Sequence, residues 1–599
     1  MDKIKQRNEI DSKYKWSLDL VYPTRESLEK DIKEVKEKTK ELKKLEGHIL
    51  DSDNNLLKAL DLYMMISRIN SKLYVYANMK FHEDTRVNEY QVLTVEIDNL
   101  LSKVNEDLAF INPELLSSSY DLVKEYIKKN KNLERYSFYL EDLYRTKEHV
   151  LPKEQEELLA RFEDVLSSSS DIFDMINNTD ITFGKIKDES GKSAVLTNSN
   201  YSKYLESSDR RVRKDAFKKL YKSYISLKNT CAKCLASDIK TDTKVSETRG
   251  YKSVLEMSLF YDNISSKLYD KLISEVSNGL NTVYKYIDVR KEVLGLDKVH
   301  MYDLYTPLVK EVNNSYTYEE AKEIVLKALE PLGEEYHNLL LKAFDERWID
   351  VYYNEGKRTG AYSWGSYDTK PYLLLNYEGT LNDVSTLAHE LGHSIHSYYS
   401  NHNNEYHDSS YPIFLAEIAS TVNEMLLNRY LYKNAKTKEE KLFYLNDLLD
   451  SFRTTLIRQT MFAEFEKITH DKEKKGIVLT EEEFSKIYLK LNKKYYGKNI
   501  CHDKEIKYEW MRIPHFYTSF YVYKYATGIS VATKIVSDIL NNKNNAKENY
   551  IEFLKSGGNN YPLEILKKVN IDIVNDDTIE SAMKVFNDTL EEFIKVLNS

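Results

Sequence analysis

The chain has 599 residues, with Lys+Arg 87 against Asp+Glu 96 and a formal net charge of −9. These charges are mixed along the chain, so no basic surface for nucleic acid is visible, and no stretch approaches the roughly 18 apolar residues of a membrane span. Three Cys are too few for a disulfide framework and fit a reducing, cytoplasmic setting, while only 17 Gly and 9 Pro argue for long helices and few strands.

The N-terminal stretch MDKIKQRNEIDSKYKW lacks the apolar core of a secretory signal. Thr24 is placed to cap a helix running to about Leu45, with Leu28, Ile32, Val35 and Leu42 at helical spacing. Helical patterns continue through Leu56–Lys80 and Val87–Phe110, giving a first helical module over 1–110. Asn112-Pro113 and Ser117–Ser119 interrupt the pattern, and a second helical group runs to the Ser167–Ser170 cluster. Ile181–Thr197 carries two β-prone runs around a polar turn and reads as a hairpin closing a second module over 111–197.

The remainder, 198–599, is expected to hold the chemistry. Long helical patterns resume over Arg210–Glu247 and Ser266–Leu294, with Cys231 and Cys234 read as ordinary helix cysteines because no second ligand pair accompanies them. Between Trp348 and Tyr377 the pattern changes: Ile349–Tyr353 and Pro371–Tyr377 read as strands, and Gly360–Ser363 and Gly365–Tyr367 as flexible connections. A small sheet therefore precedes the next helix, and its edge could pair with an extended peptide.

That helix, STLAHELGHSIHSYY over Ser385–Tyr399, sets His389, Glu390 and His393 in an HExxH arrangement. Positions i and i+4 share a helix face, so both imidazoles can reach one Zn²⁺ while Glu390 falls beside it as a base for activated water. HExxH is short enough to arise by chance, so a third ligand must decide.

His396 lies too far along the helix to close on the same ion, and His402, Glu405 and His407 sit in a polar loop. A His ten residues after His389 would fall on Tyr399, and a Glu nineteen after His393 on Pro412, which disfavours two familiar zinc-enzyme spacings. Glu417 is the best candidate. It lies twenty-four residues after His393 in PIFLAEIASTVNEMLLNRYL, an apolar helix in which Glu417 and Glu424 share one face. Carboxylates there are costly unless satisfied; Glu417 as a metal ligand and Glu424 as acceptor for a ligand imidazole account for both. Further on, RIPHFYTSFYVYKYATG places His515 ahead of several phenols that could donate to a tetrahedral oxyanion. Near the end, SGGNNYP reads as a loop.

Taken together, KWSLDLVYP, AYSWGSYDTKPYLLLN, HELGHSIHSYYS, AEIASTVNE, RIPHFYTSFYVYKYATG and SGGNNYPLEIL resemble the oligoendopeptidase F branch of the thimet oligopeptidase-like zinc metallopeptidases. The resemblance spans essentially the whole chain. It implies a mostly α fold, a large multi-helical clam-like body with a deep channel that admits short unfolded peptides. It also implies one Zn²⁺ on His389, His393 and Glu417, Glu390 as general base, and substrate contacts from His515, Tyr521 and Tyr523. The expected activity is internal cleavage of short peptides, without nucleic-acid or membrane partners and with the oligomeric state left open. The alternatives are a zinc carboxypeptidase on a similar scaffold, or an inactive helical peptide-binding protein.

Overall fold

The computed structural model describes residues 4–309, 315–543 and 545–599. Helices dominate the described residues. The expected Thr24 cap is present: its side chain accepts from the Ser27 amide and opens α1, Arg25–Lys43. Next come α2, Asp53–Glu83, and α3, Asn88–Leu108, and then a hairpin of β1, Lys185–Lys187, and β2, Ser193–Val195. The helical pattern expected over Arg210–Glu247 is present as two helices, α4, Arg210–Ser226, and α5, Lys228–Thr248, broken at Leu227.

Three short strands follow: β3, Ile349–Asp350, β4, Tyr362–Trp364, and β5, Tyr372–Leu374, in the order β3-β5-β4. The first pairing is parallel, with Ile349 opposite Leu373; the second is antiparallel, with Ser363 opposite Leu373. Strand β4 corrects the flexible connection expected there. Its Tyr362 and Trp364 rings pack on a cluster of Trp16, Leu18, Val75, Met79, Tyr372 and Leu374, and that burial outweighs the flanking glycines.

Helix α6, Leu381–Asn403, begins with Thr380 and Asp383 each bonding the other's backbone amide. Its apolar side, Val384, Leu387, Ala388, Leu391 and Ile395, is fully buried. Helix α7, Ile413–Asn434, buries Phe414, Leu415, Ile418, Ala419 and Val422. Helices α8, Arg458–Lys474, and α9, Tyr523–Leu540, complete the elements used below.

By packing, the chain divides into two units, one of Met1–Glu148, Asn314–Tyr430 and Ile535–Asn570, the other of His149–Asn313, Leu431–Lys534 and Ile571–Ser599. It does not follow the consecutive 1–110, 111–197 and 198–599 modules expected from breaks in the pattern. In the first unit the reason is visible: Trp16, Leu18 and residues of α2 share one core with β5, far along the chain. The loop at Gly557–Gly558 meets the end of α6 in the same unit. A β-carbon on Gly557 would stand 2.4 Å from the Ser400 hydroxyl and one on Gly558 2.1 Å from the Ser410 carbonyl, so this turn needs glycine for close approach.

Candidate metal centre

The geometry starts from helix spacing. On α6, His389 and His393 turn their Nε2 atoms toward each other at 3.2 Å, with the rings edge to face. Glu417 on α7 brings a carboxylate oxygen to them, all three ligand atoms lying within 4.8 Å of one another.

Each imidazole is aimed by α7. The His389 Nδ1 lies 3.0 Å from Glu424 Oε1, which fixes the proton on Nδ1 and turns the Nε2 lone pair inward. The His393 ring is held by a hydrogen bond to the Ala416 backbone carbonyl. The 3.2 Å between these nitrogens is bridged by a proton while His389 is charged, and it is also the spacing expected when each lies about 2.0–2.1 Å from one cation. The residues therefore fit a metal ion.

The helices can approach this closely because of Gly392. A β-carbon there would lie 2.7 Å from both the Ala419 carbonyl oxygen and Ser420 Cα, both backbone atoms of α7. Asn423 adds a buried stitch: its side-chain amide donates to the Ala388 carbonyl at 2.9 Å and accepts from the Tyr336 hydroxyl at 3.0 Å.

The electrostatics separate the two histidines. Burial alone would lower His389, but the hydrogen bond and charge of Glu424, with help from Glu390 and Glu417, raise its pKa to about 9. Burial, reinforced by His389, pulls His393 down to about 3. Glu390 is 8% exposed, and burial lifts its carboxyl above the usual range; His389 and the Ser363 backbone N–H oppose that, while Glu417 and Glu424 add to it. Ser363 is on β4, and its hydroxyl also meets that of Ser394 at 2.7 Å. Strand β4 is thus tied directly to the metal helix.

The residues set aside on sequence grounds have other partners or places. His396 is fully buried and stacks on Tyr411 at 3.7 Å, and His407 Nε2 meets the Arg135 carbonyl. Cys231 and Cys234 are free and buried in α5. A second possible ligand group, His300, Cys501 and Asp503, is engaged internally: His300 Nδ1 lies 2.8 Å from Asp503 Oδ1, and Asp503 Oδ2 also accepts the Met301 N–H.

His515, Tyr521 and Tyr523 lie in the second unit. There, the His515 ring lies 6.1 Å from Tyr521 and 5.9 Å from Tyr525, which are themselves 5.5 Å apart. Tyr523 is fully buried, with its ring 5.4 Å from Tyr269. Tyr525 stands in the first turn of α9 and Tyr521 just before that helix begins. Sequence reasoning missed Tyr525, Gly392, Asn423 and Ser363. The glycine inside HELGH was the available signal for Gly392; for Tyr525, Asn423 and Ser363 there was none.

The model of peptidase family M3 matches residues 203–585, and that of the oligopeptidase F N-terminal region matches residues 114–183. Oligopeptidase PepF of Bacillus subtilis is 42% identical over 100% of this chain and 89% of its own length. Group B oligopeptidase PepB of Streptococcus agalactiae is 39% identical over 98% and 97%. Among solved structures, oligoendopeptidase-F from Enterococcus faecium is 37% identical with a TM-score of 0.75, covering 96% of this chain and 99% of that one.

Proposed function

The chain belongs to peptidase family M3, and from that premise we propose that it cuts internal bonds of short peptides with one Zn²⁺ held by His389, His393 and Glu417. It is a metalloendopeptidase of the oligoendopeptidase F kind, acting on peptides. The observation that carries the metal assignment is the 3.2 Å approach of the His389 and His393 Nε2 atoms, with Glu417 beside them. Bound there, zinc would polarise the scissile carbonyl and make its water more acidic.

Glu390 is the general base. Its raised proton affinity suits a carboxylate that takes a proton from the attacking water and returns it to the leaving nitrogen. Glu424 and Ala416 hold the imidazoles in the orientation that leaves their Nε2 atoms free to bind metal. Strand β4 lies at the edge of its sheet, which supports pairing of an extended peptide along Tyr362–Trp364, next to Glu390. His515 and Tyr521 act as donors to the substrate carbonyl, and Tyr525, whose ring lies 5.9 Å from that of His515, joins them. Free cysteines and the absence, among the described residues, of any helix long and apolar enough to cross a membrane support work in the cytoplasm.

The test is cleavage of an internally quenched peptide of about eight residues, with product masses read before chelation, after it, and after Zn²⁺ is returned. Internal cuts that vanish and reappear are expected. Release of single C-terminal residues, or cleavage indifferent to chelator, would overturn the reading.

A further inference from the structure

Six non-glycine residues among those described have positive φ; four are Asn, which tolerates the left-handed region, and one is Arg347. The sixth is Phe520, at φ 59° and 1% exposed, in the turn between His515 and Tyr525. A buried aromatic residue keeps that conformation only where its surroundings over-determine it.

They do so here. Glu466 Oε1 accepts the Phe520 N–H at 2.8 Å. The Ser519 hydroxyl bonds Asp242 and lies 3.3 Å from His470 Nε2, while the Ser519 carbonyl accepts from the Ser258 hydroxyl at 3.0 Å. The Phe520 ring is set between His470, 4.7 Å away, and Tyr269, 5.6 Å away. Glu466 and His470 are one turn apart on α8, and Asp238 and Asp242 are one turn apart on α5. The turn is thus clasped by two polar i,i+4 pairs, all of these residues lying in the second unit.

This clasp is an expensive way to make a turn. Glu466 Oε2, Asp238 Oδ2 and His470 Nδ1 are buried without hydrogen-bond partners. Burial raises Glu466 and Asp242, and it pushes Asp238 up to about 8. Glycine at 520 and apolar neighbours would form the same bend without that cost. What the arrangement adds is a fixed direction for the chain on either side of it, with His515 before and Tyr521 and Tyr525 after.

We propose that Glu466, together with the Ser519–Asp242 bridge, is a positioning residue for catalysis: it locks the Phe520 turn and so holds His515 against Tyr521 and Tyr525. The proposal rests on the reading of His515 and Tyr521 as donors to the substrate.

The experiment compares Glu466→Gln, which keeps an acceptor oxygen in the shape of a neutral carboxyl, with Glu466→Leu, which removes it. Losing one donor to an oxyanion costs about 10²–10³ in kcat, so a donor displaced rather than deleted should cost about 30-fold. Glu466→Leu is expected to lose that much kcat with KM within about threefold and zinc content unchanged, and Glu466→Gln to stay within about threefold of the parent. In a His515→Ala, Tyr521→Phe, Tyr525→Phe background, Glu466→Leu should cost less than about threefold more, because the groups it positions are gone. A further loss of about 30-fold there would mark general damage and overturn the proposal, as would an unchanged kcat for Glu466→Leu in the parent. Should Glu466→Leu not fold, Ser519→Ala carries the same cycle, with about a tenfold loss expected in the parent and none in the His515→Ala, Tyr521→Phe, Tyr525→Phe background; additive losses overturn it. If His515→Ala and Tyr521→Phe each keep the parent kcat, the donor assignment itself has failed, and the proposal falls with it.

Discussion

Glu424 Oε1 lies 3.0 Å from His389 Nδ1, so a carboxylate on one helix decides which nitrogen of a histidine on another is free to bind metal. Removing it should leave the ligand set intact but badly aimed. Glu424→Ala is expected to weaken zinc binding by about 10–100-fold, measured by competition with a chromophoric chelator. Unchanged affinity would mean that His389 is oriented by something else.

The same contact gives metal binding a pH dependence. In the metal-free protein, burial alone would lower His389, but Glu424 outweighs it and the pKa stands at about 9. A proton therefore competes with the metal below that value, and zinc affinity should rise by up to about one log unit per pH unit between pH 7 and 9, then flatten. His393, held at about 3, adds no further proton over this range. The linkage to folding runs the other way. A folded pKa raised above the unfolded value of about 6.5 stabilises the metal-free protein fully below pH 6.5, and that stability is lost as pH rises through 9. Calorimetric titration of zinc at several pH values, beside unfolding of the metal-free protein, checks both directions.

Gly392 tests whether the spacing of α6 and α7 matters to the centre. A methyl group there would meet backbone of Ala419 and Ser420 at 2.7 Å, which cannot move aside like a flexible side chain. Gly392→Ala should destabilise by about 1–3 kcal/mol and draw Glu417 away from the histidines, so zinc affinity should fall even though no ligand is changed. Chelator competition and thermal unfolding of the same preparation would show the two effects together.

The sheet beside the metal helix rests on a buried ion cluster. Lys357 Nζ lies 2.8 Å from Asp350 Oδ1 and donates to the Tyr352 carbonyl at 2.8 Å, while Arg7 meets the other Asp350 oxygen at 2.6 Å. Both Asp350 and Lys357 are nearly inaccessible, at 1% and 4% exposed. Lys357→Met leaves the Asp350 charge with one cation fewer and should cost about 3–5 kcal/mol in denaturant unfolding. A double change to Lys357→Met, Asp350→Asn should recover part of it, because the stranded charge is gone.

Much of this centre is legible from sequence because helix periodicity is a strong constraint. HExxH on an amphipathic pattern fixes the relation of His389, Glu390 and His393, and two carboxylates seven apart on an otherwise apolar helix need something to satisfy them. What periodicity could not supply was pairing between distant segments. Tyr362–Trp364 is short and flanked by glycines, and it becomes a strand only because Trp16 and α2 bury its rings. For the same reason the two packing units cut across chain order. Near His515 a run of alternating tyrosines offers several registers, and Tyr523 is drawn into the core against Tyr269 while Tyr525 joins Tyr521. The break at Leu227 inside a long helical pattern was equally hidden, since the apolar spacing does not change there.

The most direct test of the account is Glu390→Gln, with zinc content and turnover of a quenched peptide measured on the same sample. Gln keeps the size of the side chain and leaves His389, His393 and Glu417 untouched but cannot take the proton. The account predicts full zinc occupancy with turnover lowered by at least about 10²–10⁴-fold. Zinc-loaded Glu390→Gln protein that cleaves the peptide at the parent rate would contradict it.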